Sequence, residues 1–317
     1  GAGIASNGAY FARLEQVSEA GGYDVRLWDL AADVDTFARS INVNYDSAGA
    51  VLVSPDGDRV VYSLANDVAF DSQWRSSMMA NSGRDPYWQA GVRNEVLQNP
   101  GYADFIQDKC TTCHMPMARF TRYTHEEQGI LLDEAGFANP EHDLHILAMD
   151  GISCTLCHQI EPDNFGMEES FSGQYAIDMD TPEGERLAYG RFEVSETNAI
   201  VMQGSSGYIP VQADHVQESE LCGTCHTLYT PTIDYEGEIA GEFAEQMVYP
   251  EWLNSAYSET DSCQDCHMPA ADSPVALSIT SPQDLRDPYT QHIFVGANFY
   301  MPDLLHRYPE LGMMASR

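Results

Sequence analysis

Two short apolar runs, Ala50-Val-Leu-Val and Val60-Val-Tyr, flank a polar stretch with Asp56-Gly57 at its middle, which predicts a β-hairpin. Residues 71–82 read as helical. Asp85 then caps a second helix with Pro86 at its first position, predicted to run from Tyr87 to about Gln98. A third helix is expected from Pro100 through Lys109 into Cys110 to His114, with Pro116 preventing much continuation. Gly166 to Ser206 is polar, glycine-containing and weakly periodic, and reads as a long loop with scattered short strands. The expected fold is therefore mostly irregular and α-helical, with a few short β-strands.

No run of about 18 apolar residues occurs, so no transmembrane helix is expected. The first residues, Gly1 to Gln16, lack the basic stretch and apolar core of a secretory signal, so Gly1 is read as a mature N-terminus. At 317 residues and 43% apolar composition the chain can build one large or two modest domains. Net charge is −34, from 49 acids against 15 bases, and Lys109 is the sole lysine. Such a chain is not expected to bind nucleic acid or anionic lipid by charge. An acidic coat favours solubility and fits either a saline setting or an ordinary exported protein.

The cysteines change the picture. All eight fall into pairs, Cys110-Thr-Thr-Cys113, Cys154-Thr-Leu-Cys157, Cys222-Gly-Thr-Cys225 and Cys263-Gln-Asp-Cys266. Each pair is followed at once by histidine: His114, His158, His226 and His267. From composition alone that coincidence has odds of roughly one in a million. On a helix, residues three and four apart share a face, so two sulfurs and an imidazole point the same way. Two thioether links to one porphyrin edge, with the histidine on iron, are what C-x-x-C-H implies for c-type haem. Zinc ribbons want about 15 to 20 residues between knuckles, and these gaps are longer. A thioredoxin-like dithiol needs one such pair beside a βαβ pattern, so four would be redundant. The chain is expected to carry four covalently bound haem c groups.

Residues 1–73 hold no motif and are read as a haem-free N-terminal segment containing the hairpin; 74–317 are read as the tetrahaem domain. The steps from Cys110 to Cys154 and from Cys222 to Cys263 are short, and a longer segment separates the couples, suggesting two haem pairs. The first and fourth motifs share Cys-His-Met-Pro, compatible with duplication. A compact chain of this length has a radius of gyration of about 20 Å, so four macrocycles inside it would be near neighbours and electrons could hop between them.

Six histidines lie outside the motifs, and four are needed if every iron is six-coordinate. His145 and His215 stand just upstream of Cys154 and Cys222, where each could ligate a neighbouring haem. His292 sits among aromatic and small residues that could pack on a porphyrin. These three are taken as distal ligands, and the fourth is one of His125, His142 and His306. Met78 and Met79 are the alternative, although thirteen methionines make core filling the commoner role.

With these residues assembled, the chain resembles the outer-surface multihaem c-type cytochromes, particularly the tetrahaem and hexahaem kinds that polymerise into extracellular nanowires. The resemblance is carried by Trp74 to Trp88, Cys113-His-Met-Pro-Met-Ala, Asp150 to Ile160, Leu221 to Thr230, Cys263 to Pro269 and His292 to Met301. It implies a continuous chain of stacked and T-shaped haems with bis-histidine ligation. It also implies a homopolymer in which one distal histidine can come from the adjacent subunit, with redox partner cytochromes and extracellular electron acceptors as further partners. Cell-surface or extracellular placement follows, with the periplasm as the alternative. Residues 1–73 lie outside the resemblance, and the ending Leu311 to Arg317 is compatible with a trimmed precursor.

Iron ligated on both faces passes electrons but offers substrate no coordination position, so the expected role is electron transfer rather than catalysis. Two other readings stay open at this point: a monomeric shuttle, and a multihaem oxidoreductase with one open haem and acid or base groups on its free face.

Overall fold

The computed structural model describes residues 2–4, 10–16, 22–29, 34–42, 51–53 and 60–62 as backbone strands, and then residues 70–276, 285–296, 298 and 300–307. The chain divides into two compact units. The first comprises Gly1–Ser76, Pro269–Phe294 and Met314–Arg317; the second comprises Ser77–Met268 and Val295–Met313. The sequence reading divides the chain once, at residue 73, and keeps 74–317 together. The return of Pro269–Phe294 to the first unit is not visible in the sequence.

In the first unit β1 (Ala2–Ile4), β2 (Tyr10–Gln16), β3 (Gly22–Asp29) and β4 (Val34–Asn42) form an antiparallel sheet in chain order. Tyr23 lies opposite Ile41 and Leu27 opposite Phe37, with a register shift after Leu27. β5 (Val51–Val53) pairs antiparallel with β6 (Val60–Tyr62), Val51 opposite Tyr62. The Asp56-Gly57 turn lies outside the described residues. α1 (Phe70–Arg75) stops well short of Ser82, and residues 82–84 form a separate 3-10 turn. A two-stranded ribbon, Val275–Ala276 with Leu285–Arg286, completes the described part of this unit.

The second unit opens with α2 (Pro86–Gln98), whose first turn is fixed by the Asp85 carboxylate accepting from the backbone N–H of Tyr87 at 2.8 Å. α3 (Ala103–His114) ends at Met115, and Pro116 both stops it and takes the first position of α4 (Pro116–Tyr123). α5 (His145–Met149) and α6 (Cys154–Cys157) follow, then β7 (Ile160–Glu161), which pairs with β8 (Ala176–Ile177). β9 (Leu187–Gly190) runs parallel to β10 (Ile209–Gln212), with α7 (Glu196–Ser206) between them. That helix stands where the sequence suggested loop. Ser195 caps it by accepting from Asn198 N–H, and Gly207, at φ 78°, ends it in a left-handed turn.

α8 (Ser219–Gly223) precedes the antiparallel ribbon of β11 (Leu228–Ile233) and β12 (Ile239–Gln246). α9 (Val248–Leu253), α10 (Cys263–His267) and α11 (Tyr300–Arg307) complete the unit. The apolar core among the described residues is small. One cluster joins Val92, Met115, Ala118, Leu131, Leu132, Phe137 and Ala148; a second holds Leu156, Ile160 and Tyr175. Among the described residues no sheet closes, and no helix is long and apolar enough to cross a membrane.

Candidate functional site

Each motif starts on a helix of the second unit: α3 and α10 contain the whole of the first and fourth, which lines up two sulfurs and an imidazole, whereas α6 ends at Cys157 and α8 at Gly223, so that His158, and Cys225 with His226, follow in turns. The first has the deepest seat. Gln107 on α3 accepts from the backbone N–H of Leu131 and Leu132 at 3.1 and 2.8 Å, which grips the loop that carries the larger apolar cluster. Asp108 makes a bidentate contact to Arg119 at 3.2 and 3.1 Å and accepts from Gly129 N–H at 2.7 Å. Ser82 Oγ donates to the His114 carbonyl at 2.8 Å.

His114 itself lies flat against Trp88, with ring centroids 4.3 Å apart and planes within 5°. Its Nδ1 is buried with no hydrogen bond. Burial pushes this ring down to about 4, offset only in part by the nearby Ser82 carbonyl.

The second and fourth motifs share a different device. His158 Nδ1 meets the Tyr189 carbonyl at 2.5 Å, while Tyr189 N–H donates back to the His158 carbonyl at 2.7 Å. His267 Nδ1 meets the Val295 carbonyl at 2.5 Å, and Val295 N–H donates back to the His267 carbonyl at 2.8 Å. A carbonyl can only accept, so Nδ1 carries the proton and Nε2 keeps its lone pair, the tautomer an iron ligand needs. In the third motif His226 N–H donates to Cys222 O at 2.9 Å, and Tyr249 N–H to the His226 carbonyl at 3.2 Å. Gly223 is obligatory there: a Cβ would meet the Tyr249 ring at 2.9 Å. Crowded surroundings first, and the charge of His267 second, lower the pKa of His226.

The third motif is the meeting point of the others. Cys225 neighbours Cys113 from the first motif, and Cys222 neighbours Cys263 from the fourth, near enough for each thiol to raise or lower the other's pKa. Cys157 of the second lies close enough to feel the charge of Cys225, and its own charge is felt at Cys222. A strap at 172–175 fastens the first motif to the third. Ser172 N–H donates to the Thr227 carbonyl and Gly173 N–H to the Thr224 carbonyl, both at 2.7 Å. Lys109 Nζ reaches the Ser172 carbonyl at 2.6 Å, and Tyr175 Oη the Thr112 carbonyl at 2.7 Å. Gly173 sits at φ +76°, and a Cβ there would meet Thr112 Cγ2 at 2.8 Å and Cys113 Sγ at 3.1 Å. Between the third and fourth motifs, Ser219 Oγ accepts from Cys263 N–H at 2.9 Å and Gln264 donates to the Glu218 carbonyl at 2.8 Å.

All eight cysteines are free of disulfides. As thiols, Cys110 and Cys157 are pushed up to about 12, chiefly by burial and then by neighbouring acidic or thiol groups. Cys263 is drawn down to about 6, first by its hydrogen bond from Cys222 and against its partial burial. Neutral sulfur is thus the favoured form at Cys110 and Cys157, as in a thiol or a thioether.

The histidines outside the motifs fall in different places. His145 Nδ1 meets the Phe137 carbonyl at 2.8 Å, which again leaves Nε2 with the lone pair. His142 Nδ1 instead accepts from Leu144 N–H at 3.0 Å, which places the proton on Nε2. Buried His215 directs Nε2 at the Ile160 carbonyl, 2.9 Å away, with its ring between Tyr189 and Phe165, so the lone pair is on Nδ1. His125 is exposed in the turn after α4. His292 belongs to the first unit, where its N–H donates to Gln73 and its ring lies near Tyr289 and Phe294. The side chain of His306, in α11, lies outside the described residues. Met78 and Met79 occupy the turn that leads to residues 82–84, where the Met79 carbonyl accepts from Ile152 N–H at 3.0 Å.

Sequence reasoning did not find Trp88, Tyr189, Val295 or the 172–175 strap. The two clasping groups are backbone carbonyls, which any residue type supplies, so no residue identity marks them. Comparison with family models, curated proteins and solved structures gives no match to this chain.

Proposed function

We propose that the chain is a tetrahaem c-type cytochrome that carries electrons along a row of closely spaced haems. The observation that carries this reading is the clustering of the motifs: Cys225 of the third neighbours Cys113 of the first, Cys222 neighbours Cys263 of the fourth, and Cys157 of the second is near enough to feel the charge of Cys225. The residues present fit the group. At the second and fourth motifs the imidazole is anchored through Nδ1, which puts the ring's lone pair on Nε2, the tautomer of a ligating histidine. When bound, each haem supplies a one-electron iron couple. The chain's part is to hold the attachment points close together and to fix the imidazole planes. The small apolar core among the described residues of the second unit also supports the reading, since macrocycles would supply further apolar contact.

A row without an open iron acts as a conduit, and His145, with its Nε2 lone pair, is the distal candidate whose tautomer suits ligation best. His215 and His292 stand beside it as distal candidates by position in the sequence. Polymerisation of this conduit into an extracellular filament is proposed on the resemblance of the sequence segments, together with redox partner cytochromes and extracellular acceptors as its partners.

The test is a carbon monoxide titration of the reduced, haem-loaded protein, followed optically. The conduit predicts no prompt ligand binding, whereas uptake by one haem in four would make it an oxidoreductase. Negative-stain microscopy of the same sample separates a filament from a monomeric shuttle.

A further inference from the structure

Thr112 stands between the two cysteines of the first motif, in the last turn of α3. In a continuing helix its carbonyl would accept from the backbone of residue 116, which is proline and has no N–H. Thr112 is buried, and its carbonyl takes its proton donor from Tyr175, whose Oη lies 2.7 Å away. The backbone on either side of Tyr175 is tied to two other motifs. Before it, Ser172 N–H and Gly173 N–H donate at 2.7 Å to the carbonyls of Thr227 and Thr224, which bracket Cys225 and His226 of the third motif. After it, Ala176 and Ile177 form β8 and pair with Glu161 and Ile160 of β7, just beyond His158 of the second motif. The Tyr175 ring fills the space between. It is buried in the cluster with Leu156, which stands between the cysteines of the second motif, and Cys225 packs against the same cluster. Phe120 of α4 lies on it with ring centroids 5.5 Å apart. Among the described residues, none of these partners belongs to the fourth motif.

We propose that Tyr175 is a positioning residue that joins the first three haem attachment sites into one rigid block, to which the fourth is joined by separate contacts. The inference rests on the haem reading above. Groups that must exchange electrons need a fixed separation and a fixed mutual angle, so a residue that locks three attachment sites together sets the coupling among whatever they carry. The fourth motif is fastened elsewhere, by Ser219 Oγ accepting from Cys263 N–H at 2.9 Å and by Gln264 donating to the Glu218 carbonyl at 2.8 Å. Spacing along the chain suggests two couples of motifs; the contacts of Tyr175 group them as three and one. Its hydroxyl and its ring have separable tasks. The hydroxyl serves the first motif alone, and the ring packs toward the second and third.

The experiment compares the wild-type, Tyr175→Phe and Tyr175→Leu proteins, each loaded with haem and first checked by pyridine haemochrome for four groups per chain. Electron paramagnetic resonance of the ferric protein is one readout. The other is a redox titration followed by proton nuclear magnetic resonance, which reports how far reduction of one haem shifts the midpoint of its neighbour. Tyr175→Phe removes the hydroxyl and keeps the ring, so the signals of the first haem should shift while the other three hold. Tyr175→Leu removes both. The signals of the first three haems should then move and their mutual interactions weaken, with the interaction of the third and fourth unchanged. In the wild type, the Tyr175 ring protons should show nuclear Overhauser contacts to Phe120 and to Leu156 or Ile160; this result does not depend on the folding of any variant. Unmoved spectra in Tyr175→Leu, equal changes at all four haems, or absence of those wild-type contacts would overturn this inference alone. Wild-type protein that binds no haem would overturn the reading beneath it as well.

Discussion

The first and fourth motifs share the run Cys-His-Met-Pro, yet the chain seats them by different physics. Cys110 to His114 end a twelve-residue helix packed on the larger apolar cluster and held by Gln107 and Asp108 to a loop about twenty residues further on. Cys263 to His267 form a five-residue helix with little core of its own. Its start is fixed by a capping box, in which Ser262 Oγ accepts from Asp265 N–H at 3.2 Å and Asp265 accepts from Ser262 N–H at 2.8 Å. Its end is fixed by the Val295 clasp. Burial together with hydrogen bonds holds one motif, and directed hydrogen bonds hold the other. The same five-residue motif is thus held in place in two different ways.

The contrast can be broken most severely from the packed side. Phe137 is fully buried in the cluster under the first motif, and Phe137→Ala should cost about 3 to 5 kcal/mol, read as a drop in the urea midpoint. A loss under 1 kcal/mol would mean that the first motif, too, is held by hydrogen bonds. Next in size is the strap. Gly173→Ala forces a side chain into a left-handed position and against Thr112 and Cys113, and should cost about 1 to 3 kcal/mol while loosening the contact between the first and third motifs. Thermal unfolding followed by circular dichroism measures the first effect, and hydrogen exchange at Gly173 and Ser172 the second.

How far these features could be read beforehand varies with their range. The second helix was legible because its start signal, Asp85-Pro86, is local and the structure uses it in that way. α7 carries equally local signals, Ser195 before it and Gly207 after it, but its exposed apolar residues Ile200, Val201 and Met202 do not form a buried stripe, so periodicity gave no help. The motifs identified themselves by residue type. Their supports did not, because His158 and Tyr189 are 31 residues apart, His267 and Val295 28 apart, and the joining group is a carbonyl. The return of Pro269–Phe294 to the first unit, which takes His292 away from the unit that holds the motifs, depends on long-range contact and has no local mark.

Two smaller changes sharpen the comparison from the polar side. Ser262→Ala removes the cap of the fourth motif and should cost about 1 kcal/mol, with hydrogen exchange rising at Asp265 N–H and no change around His114. An equal rise at both motifs would show that the two seats are one cooperative unit. The smallest effect belongs to an exposed acid away from both: Glu185→Gln should shift stability by no more than about 0.5 kcal/mol in the same melt. A larger shift would give the acidic surface a structural part in the fold.

The central claim is that every cysteine is an attachment point for haem, and intact-chain mass spectrometry of the protein made in a host competent for cytochrome c maturation tests it most directly. The account predicts a chain that carries four haem additions, resistant to acid extraction, with no sulfur open to thiol reagents. A chain of unmodified mass with reactive cysteines would contradict it.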